Sequence, residues 1–236
     1  YRKEWTDLDN RYIECIAKIH TDFPDKFGIP RQSGIVNALK GLVIFEPKYR
    51  NEDAFRGLEG FSHIWLIWGF LYSNRKKWAP MVKPPRLGGN TRMGVFATRS
   101  PNRPNSLGLS SVRLDKIDFH TEYGPVLHVS GIDMIDQTPI YDIKPYITYA
   151  DSHPDAIEGF VDQVKNKELI VDFNKEHKNK IPEKYHKALI GVLAQDPRPS
   201  YHDDPDRIYG FYFAGYNVRF KVQSDTITVY DITKLR

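Results

Sequence analysis

The sequence predicts a mainly β protein, with a β-barrel or β-sandwich over residues 1–152 and a small α+β domain over residues 153–236. Short runs of β-forming residues, separated by turn residues, recur through the first domain. These runs do not alternate with helical patterns, which argues against parallel β-α-β units. Helical spacing of apolar residues appears only in the second domain, where further strand-like runs follow it. No internal repeat is visible.

The predicted strands of the first domain are bounded by Gly, Pro, Asn or Asp. Between two of them, the segment 51–56 begins with Asn51, has acids in its first turn and meets Gly57, which predicts one or two turns of helix. The run 62–71 is almost wholly apolar and predicts a strand covered on both faces. The predicted strands span residues 12–20, 39–46, 62–71, 93–98, 107–119, 126–132 and 140–143.

The second domain is predicted to contain two helices and four strands. One helix is predicted from Asp151 to residue 164, and another over 182–194, where apolar residues recur at helical spacing before Asp196-Pro197. The last three strand-like runs have turn signals between them and predict an antiparallel meander. The predicted strands span residues 168–173, 208–213, 216–222 and 226–230.

Charge is segregated along the chain. The 55 residues between Glu59 and Asp115 contain no acid, although the whole chain has 30. Nine cations lie in this acid-free segment, which indicates a polyanionic partner or an anionic ligand. The alternative is a set of exposed loops whose acidic partners lie elsewhere in the fold. The nine cations are Arg75, Lys76, Lys77, Lys83, Arg86, Arg92, Arg99, Arg103 and Arg113.

The acid-free segment also holds turn residues and aromatic residues. Two Pro- and Gly-rich loops, 83–92 and 98–108, flank a short apolar run, and loops held by a sheet often carry binding groups. The Gly88-Gly89 pair lacks the spacing and the strand–turn–helix context of a dinucleotide or phosphate loop. Nearby aromatics suit unpaired nucleotides, with core packing as the alternative, which is favoured for Trp65. These aromatics are Trp65, Trp68, Tyr72 and Trp78.

The composition indicates a cytoplasmic protein. The longest apolar run, 63–71, has nine residues, well short of the roughly 18 that span a bilayer. The N-terminus has neither the basic nor the apolar region of a secretion signal, so secretion is not expected. The single cysteine, Cys15, excludes internal disulfides and suits a reducing compartment. No zinc-type spacing of Cys and His is present, so no metal is expected.

Three loop motifs are candidates for ligand binding, each with a structural alternative. Pro30-Arg31-Gln32 presents a cation and an amide on a stiff loop, or is an ordinary exposed loop. His63 stands at the entrance of the most apolar strand, where it contacts a ligand or has a structural role. Arg198 lies between two prolines after the predicted second helix. It is either a cation that the stiff loop directs at a ligand, or an exposed residue at the point where the helix ends.

Two groups of polar residues are candidates for chemistry. Asp133 and Asp136 follow an apolar strand, where they suit hydrogen bonds to ribose hydroxyls or proton acceptance, or simply cap the turn. If extended, Asp142, Lys144 and Tyr146 share one face, because side chains alternate along a strand. This trio is a polar site or a salt bridge beside an aromatic.

Eight blocks, in this order, resemble the TsaA-like (TrmO) family, whose members are tRNA N6-threonylcarbamoyladenosine N6-methyltransferases. The resemblance spans residues 12–232. Two positions depart from the family pattern: Ser106 replaces a frequent Pro, and Gln137 replaces a frequent Gly beside the expected cofactor site. The blocks are Pro30-Arg-Gln32, Arg56-Gly-Leu-Glu-Gly-Phe-Ser-His63, Pro84-Pro-Arg-Leu-Gly-Gly-Asn90, Met93-Gly-Val-Phe-Ala-Thr-Arg-Ser100, Arg103-Pro-Asn105, Asp136-Gln-Thr-Pro139, Asp142-Ile-Lys-Pro-Tyr146 and Leu193-Ala-Gln-Asp-Pro-Arg-Pro199.

The resemblance implies an S-adenosyl-L-methionine-dependent methyltransferase. Its implied fold is an antiparallel β-barrel N-terminal domain with a small α+β C-terminal domain, rather than a Rossmann sheet. Its implied substrate is the N6-threonylcarbamoyladenosine next to the anticodon of tRNA, and family members are typically homodimers. The positions that match the family's cofactor motifs are Pro30, Arg31, Gln32, His63, Ile64, Arg99, Leu109, Asp133, Met134, Ile135 and Asp136.

The chemistry of this substrate suggests catalytic roles. N6 is a poor nucleophile while it keeps its proton, so a carboxylate is expected as base, either Asp136 or Asp142. Lys144 is expected to stabilise charge on the carbamoyl oxygen, and Tyr146 to stack on the nucleobase. The threonyl carboxylate calls for an arginine. The expected substrate-binding residues are Arg86, Arg92, Arg103, Asn105 and Arg198.

A non-catalytic RNA-binding β-barrel is the competing class, because a basic groove with aromatics is typical of such modules. The anticodon arm of tRNA is the expected partner in either case. The carboxylates of residues 133–136, together with Pro30-Arg31-Gln32, favour the enzyme. A protein that only binds RNA has little use for carboxylates beside a phosphate-binding surface. A cofactor with a ribose and an amino group, in contrast, offers hydrogen-bond donors that carboxylates can accept.

Overall fold

The computed structural model describes residues 12–71, 78–87, 90–164, 168–198 and 204–235, without the side chains of residues 86 and 162–164. In the first domain, its strands are β1 (Ala17–Thr21), β2 (Lys40–Phe45), β3 (His63–Gly69), β4 (Met81–Val82), β5 (Met93–Gly94), β6 (Leu107–Asp118), β7 (Val126–Ser130) and β8 (Thr138–Pro145). Six of these strands close into an antiparallel barrel in the order β1-β2-β7-β6-β3-β8. The barrel prediction is therefore confirmed.

Burial alternates along the barrel strands, as expected when one face of each strand points into the barrel. Along β6, for example, Ser110, Val112 and Leu114 are buried while their neighbours are more exposed. In β3 the burial also alternates, so the predicted cover on both faces is only partial. β1 begins at Ala17 rather than residue 12, and Tyr12 is exposed there instead of joining the sheet.

The predicted strand over 93–98 is wrong beyond its first two residues. β4 and β5 pair as a short antiparallel ladder outside the barrel. The chain then turns through one 3-10 helix, Val95–Ala97, in which the N–H of Thr98 donates to the carbonyl of Val95 over 3.1 Å. The side chain of Val95 is buried, and its N–H donates to the carbonyl of Pro80 over 2.9 Å, which fixes this turn against β4.

The second domain is a four-stranded sheet with helices. Its predicted helix over 151–164 is wrong: the structure has two short pieces separated by residues 152–158. Pro154 accounts for the break, because a proline disfavours the helical conformation in the residue before it. α1 (Thr148–Asp151) lies just before this domain, whose elements are a 3-10 helix (Gly159–Val164), β9 (Ile170–Asp172), α2 (Lys175–Lys178), a second 3-10 helix (Glu183–Tyr185), α3 (His186–Ala194), β10 (Tyr209–Phe213), β11 (Tyr216–Gln223) and β12 (Thr226–Lys234).

The second domain packs against a loop of the first. The sheet order is β10-β11-β12-β9, with β9 parallel to β12 and the other pairs antiparallel. The rings of Phe23 and Phe213 lie 5.3 Å apart, and the N–H of Ala214 donates to the carbonyl of Asp22 over 2.9 Å. Gly28 has a φ of 92°, and a Cβ there would lie 2.5 Å from the ring of Phe211. The sheet therefore fixes the loop that leads into Pro30-Arg31-Gln32.

No helix within the described ranges is long and apolar enough to cross a membrane. In the same part of the chain, no group of three or more His, Cys, Asp or Glu side chains is placed to hold a metal ion.

Candidate active site

A cavity of about 660 Å³ lies beside β3 and β6. Side chains of Trp65 and Trp68 from β3 and of Leu109 and Ser111 from β6 form one wall. Three loop segments, 29–33, 99–103 and 133–135, contribute most of the other lining residues. The volume falls within the range of roughly 300–1,000 Å³ that is typical of small-ligand sites.

Asp133 is a partly buried carboxylate of this cavity. The Oγ of Ser110 donates to its Oδ1 over 2.7 Å, and the Nε1 of Trp68 donates to that Oγ over 2.9 Å. The backbone of Ser33 also donates to the carboxylate. Loss of hydration raises the pKa of Asp133 to about 6, although these hydrogen bonds and nearby Arg99 favour the charged form. The carboxylate therefore gains from a ligand that donates hydrogen bonds or carries positive charge.

The segment that carries Asp133 is held on both sides. Before it, Gly131 has a φ of 76°, and its N–H donates to the carbonyl of Leu39 over 2.9 Å. After it, the Oγ1 of Thr21 donates to the carbonyl of Met134 over 3.1 Å. The side chain of Met134 is itself buried. This anchoring gives Asp133 a defined position, which a binding carboxylate requires.

Arg99 and Gln32 connect two loops at the mouth of the cavity. A guanidinium N–H of Arg99 donates to the Oε1 of Gln32, and both side chains line the cavity. Arg31 lies in the same lining. Two cations and an amide thus lie within the same site as the carboxylate of Asp133. The site can therefore bind both negatively and positively charged groups of a ligand.

Arg103 lines the cavity but binds its own loop. Its Nε donates to the carbonyl of Ser100 over 3.1 Å. Its Nη2 donates to the carbonyls of Val95 over 3.3 Å and Thr98 over 2.5 Å. Three backbone carbonyls are therefore gathered on one guanidinium, which shapes the loop between the 3-10 helix and β6.

A second, more open groove of about 1350 Å³ adjoins the cavity. The two share Arg31, Gln32, Arg99 and Pro101 in their linings. Among the described lining residues of the groove, Glu158 is the sole acid, so the groove has a net positive charge. The cations that line it are Arg31, Lys83, Arg92 and Arg99.

The structure brings eight of the eleven predicted cofactor residues into the cavity lining, and three lie elsewhere. Ile64 is fully buried in the barrel core. His63 stands at the start of β3, partly exposed and outside the lining. Asp136 accepts a hydrogen bond from the N–H of Thr21 over 3.0 Å and lies 3.6 Å from the Nδ1 of His20. The eight are Pro30, Arg31, Gln32, Arg99, Leu109, Asp133, Met134 and Ile135.

The predicted catalytic residues Asp142 and Lys144 lie on β8 outside the cavity lining, although Thr138 of the same strand belongs to it. The Nζ of Lys144 is 3.0 Å from the Oδ2 of Asp142. Lys144 pairs with Trp65 across β3, and Asp142 pairs with Ile67. Directly opposed residues share a face of a sheet, so the ion pair lies on the face on which Trp65 meets the cavity. The ring of Tyr146 is 5.5 Å from that of Trp65.

The predicted substrate-binding residues occupy different places. Arg92 lines the groove and Arg103 lines the cavity, whereas the exposed Asn105 is in neither lining. Arg198 is 13% exposed and donates from Nε and Nη2 to the two carboxylate oxygens of Asp196, each over 2.9 Å. Some predictions concern residues outside the described part of the chain. These residues are Tyr72, Arg75, Lys76, Lys77 and the Gly88-Gly89 pair, and the side chain of Arg86 is also not described.

Some functional candidates were not found from the sequence. Trp65 lines the cavity, and its Nε1 donates to the Oδ2 of Asp151 over 2.9 Å, so the core-packing prediction for it is wrong. Trp68 is buried and also lines the cavity. Ser110 was missed, although a Ser110-Ser111 pair beside Leu109 and Val112 in a predicted strand is a signal, because a buried hydroxyl requires a partner.

Two family models match the chain. The model described as the tRNA-methyltransferase O N-terminal domain matches residues 18–152, which include all of the barrel strands except Ala17. The model described as the TrmO C-terminal domain matches residues 162–235, which include the four-stranded sheet.

Curated proteins and a solved structure are similar over nearly the whole chain. The tRNA (adenine(37)-N6)-methyltransferase of Escherichia coli K12 is 38% identical over 218 residues, which are 89% of this chain and 92% of that protein. A putative S-adenosylmethionine-dependent methyltransferase of Pseudomonas aeruginosa is 37% identical over 229 residues, 93% and 96% of the two chains. The crystal structure of TrmO from Pseudomonas aeruginosa superimposes with a TM-score of 0.77 at 32% identity and covers 96% of this chain and 99% of that one.

Proposed function

The chain belongs to the TrmO family and is a tRNA (adenine-N6)-methyltransferase, and we propose that it methylates N6 of N6-threonylcarbamoyladenosine next to the anticodon, with S-adenosyl-L-methionine as methyl donor. The main observation in support of this proposal is that a cavity with a carboxylate adjoins a basic groove. The cavity has the size of a small-cofactor site and the groove has the charge for a polyanion. Arg31, Gln32 and Arg99 belong to both linings.

The cavity residues fit S-adenosyl-L-methionine. Trp65 and Leu109 provide apolar surface for its adenine and its methionine stem. The carboxylate of Asp133 accepts hydrogen bonds from ribose hydroxyls or from the amino group, which repays its loss of hydration. Arg31 and Arg99 are the cations of the lining that suit the carboxylate of the methionine portion.

The groove supports binding of the anticodon arm. Lys83 and Arg92 come from the acid-free segment and lie along the groove, away from the cavity. Their positive charge suits backbone phosphates, which contribute affinity without reading sequence. Arg99 lies where the two linings meet, so a nucleotide that leaves the groove for the cavity passes this cation.

When bound, S-adenosyl-L-methionine supplies a methyl group made electrophilic by its sulfonium. The protein residues must exclude water, align N6 and accept its proton. We assign Asp142 as the proton acceptor, whose carboxylate would take the N6 proton when N6 accepts the methyl group. Lys144, 3.0 Å from Asp142, then lies beside the carbamoyl oxygen and stabilises its developing negative charge.

Asp136 is the less favourable base. Both carboxylates lie outside the cavity lining, and each accepts a backbone N–H. Asp142 is preferred because it pairs with Lys144, which lies opposite the cavity residue Trp65, whereas Asp136 lies beside His20. Tyr146 and Trp65 form a tilted aromatic pair at the edge of the cavity, which suits contact with the adenine of the substrate. The non-catalytic RNA-binding module is set aside, because the relatives are named methyltransferases.

We also propose that the protein is cytoplasmic and acts as a homodimer, as the family resemblance implies. For Arg198 to bind the threonyl carboxylate, its guanidinium must exchange Asp196 for the substrate, because both Asp196 oxygens hold it. Sedimentation at increasing protein concentration tests the dimer, and methylation by mixtures of an Arg198→Ala chain and an Asp133→Ala chain tests whether one protomer serves the site of the other.

The central experiment combines binding and turnover. Calorimetric titration with S-adenosyl-L-methionine is made on the native protein, on Asp133→Ala and on Asp53→Ala, whose carboxylate is 73% exposed on the barrel surface. We expect binding in the native protein and the control and its loss in Asp133→Ala. Methylation is then compared on tRNA with and without the threonylcarbamoyl group. Equal methylation of both tRNAs would contradict the proposed substrate, and absence of cofactor binding would contradict the proposed site.

A further inference from the structure

We propose that Phe96, supported by Trp78, is a stacking platform for an unpaired nucleotide of the anticodon loop that flanks the methylated adenosine. The assignment takes the anticodon loop as the bound RNA and therefore rests on the proposed function. It goes beyond the cofactor site, because neither aromatic residue lines the cavity. Three observations support it: the exposure of the two rings, the backbone that fixes them, and their position among cations.

The two aromatic rings are unusually exposed. Phe96 is 75% exposed and Trp78 is 49% exposed. Their ring centroids lie 6.2 Å apart with the planes inclined at 25°, so the rings are stacked on each other. Trp78 thus supports one side of Phe96, and most of the Phe96 surface stays available to a partner. Exposed apolar surface of this kind marks interaction sites on soluble proteins.

The backbone holds the pair in place from two sides. Beside Trp78, the N–H of Ala79 donates to the carbonyl of Asn102 over 3.0 Å. Beside Phe96, the N–H of Val95 donates to the carbonyl of Pro80 over 2.9 Å, and the Val95 side chain is 1% exposed. A buried neighbour and two loop-to-loop hydrogen bonds limit the freedom of the rings. Stacking on such a fixed ring costs little ordering entropy.

The position of Phe96 selects RNA as the occupant. Phe96 lines the groove whose cations include Lys83 and Arg92, and an aromatic face among cations is typical of single-stranded nucleic acid sites. A peptide or a second copy of the chain would find less complementarity in a groove whose described lining has four cations and one acid. Arg99 follows Phe96 by three residues, which span at most about 11 Å. The platform is therefore close to the mouth of the cavity, as a flanking nucleotide requires.

The test uses an anticodon stem-loop RNA with 2-aminopurine in place of a nucleotide adjacent to the target adenosine. Native protein, Phe96→Ala, Phe96→Trp and Trp78→Ala are titrated with it, and each is also titrated with S-adenosyl-L-methionine. We expect Phe96→Ala to bind the RNA about tenfold more weakly, with loss of the 2-aminopurine quenching and no change in cofactor affinity. Phe96→Trp should restore both RNA readouts, and Trp78→Ala should have a smaller effect of the same sign.

Two results would overturn the platform. One is native affinity and native quenching in Phe96→Ala. The other is a changed oligomeric state in Phe96→Ala without a change in RNA binding, which would give the surface to a second copy of the chain. Failure of the proposed function is distinguishable from failure of the platform, because it appears as absent cofactor binding or absent methylation by the native protein. The 2-aminopurine titration reports stacking in either case.

Discussion

The hydroxyl of Ser110 donates a hydrogen bond of 2.7 Å to the carboxylate of Asp133 while it accepts one of 2.9 Å from the indole of Trp68. An indole N–H can only donate, so the single hydroxyl hydrogen of Ser110 is directed to the carboxylate. This bond favours the charged form of Asp133 and opposes the effect of burial on its pKa. Ser110 is thus a positioning residue that acts through Asp133.

Ser110→Ala is expected to weaken binding of S-adenosyl-L-methionine at pH 7 and to move the pH midpoint of binding upward. Loss of the hydroxyl removes a bond that lowers the Asp133 pKa, so that pKa rises above about 6 and more of the carboxyl is protonated at neutral pH. Calorimetric titrations from pH 5 to pH 8.5 measure the midpoint. The control is Ser130→Ala, which removes a similar bond of 3.0 Å to Asp115 on another part of the barrel. Identical pH profiles for the two variants would contradict the role of Ser110.

Asp133→Asn is expected to abolish cofactor binding and yet to stabilise the protein at pH 8. Because burial raises the Asp133 pKa from 3.8 to about 6, ionisation opposes folding. The native protein should lose stability as the pH rises between these values, and the loss is complete above pH 6. We expect a gain of about 1–2 kcal/mol for the variant at pH 8, after allowance for the residual solvent exposure of the group. Denaturant unfolding at pH 4.5 and pH 8 checks it, and an equal effect at both pH values would contradict the argument.

Arg103→Ala is expected to lower stability, whereas Arg92→Ala is expected to lower RNA affinity. The Arg103 side chain binds three backbone carbonyls, and loss of these charge-assisted bonds should cost about 2–3 kcal/mol. Arg92 is exposed in the groove and should be neutral for folding to within about 0.5 kcal/mol. Thermal unfolding and titration with an anticodon stem-loop separate the two effects. An Arg103→Ala protein of native stability would mean that the loop is held without its arginine.

Gly108→Ala is expected to destabilise the protein and to disturb the cavity. A Cβ at this position would lie 2.2 Å from Cε2 of Trp68, and Gly108 and Trp68 both line the cavity. The indole must move and strain its bond to Ser110, with an overpacking cost of about 1–3 kcal/mol. In the control, Gly94→Ala, the new Cβ meets no atom within 4 Å. Unfolding free energies and tryptophan fluorescence of both variants measure the difference, and equal stabilities would show that Trp68 can move at no cost.

The barrel could be predicted from the sequence because its signal is local. Alternation in β6 and turn residues between short apolar runs are properties of neighbouring residues, and they predict strands wherever one face is buried. The prediction of a helix over 151–164 was wrong because Pro154 disfavours the helical conformation in the residue before it, and this effect outweighs the helix-capping signal of Asp151. The closure of six strands into a barrel depends on pairing between distant segments, and only the family resemblance chose it over a sandwich.

Individual residues of the site could be predicted from the sequence, but the hydrogen bonds and ion pairs between them could not. Asp133 and Arg99 were named from motifs, and the structure brings both into one cavity. The bond from Ser110 to Asp133 joins residues 23 positions apart, one on β6 and one in the loop after β7, and no spacing rule predicts it. Arg103 and Arg198 were assigned to a substrate carboxylate, but a sequence does not show which cations its own carbonyls or carboxylates already bind. In the fold the first binds backbone and the second binds Asp196.

The salt dependence of RNA binding tests whether the groove contacts phosphates. Each phosphate contact releases counterions, so the logarithm of the binding constant falls linearly with the logarithm of salt concentration. Lys83→Ala and Arg92→Ala each remove a cation that lines the groove, and each should reduce the slope by about 1. Lys116→Ala is the matched control, because Lys116 lies outside the groove lining and its Nζ pairs with Asp118 at 3.0 Å. If all three variants gave the same slope as the native protein, the anticodon arm would have to bind on another surface, since a groove that holds phosphates cannot lose a lining cation without losing counterion release.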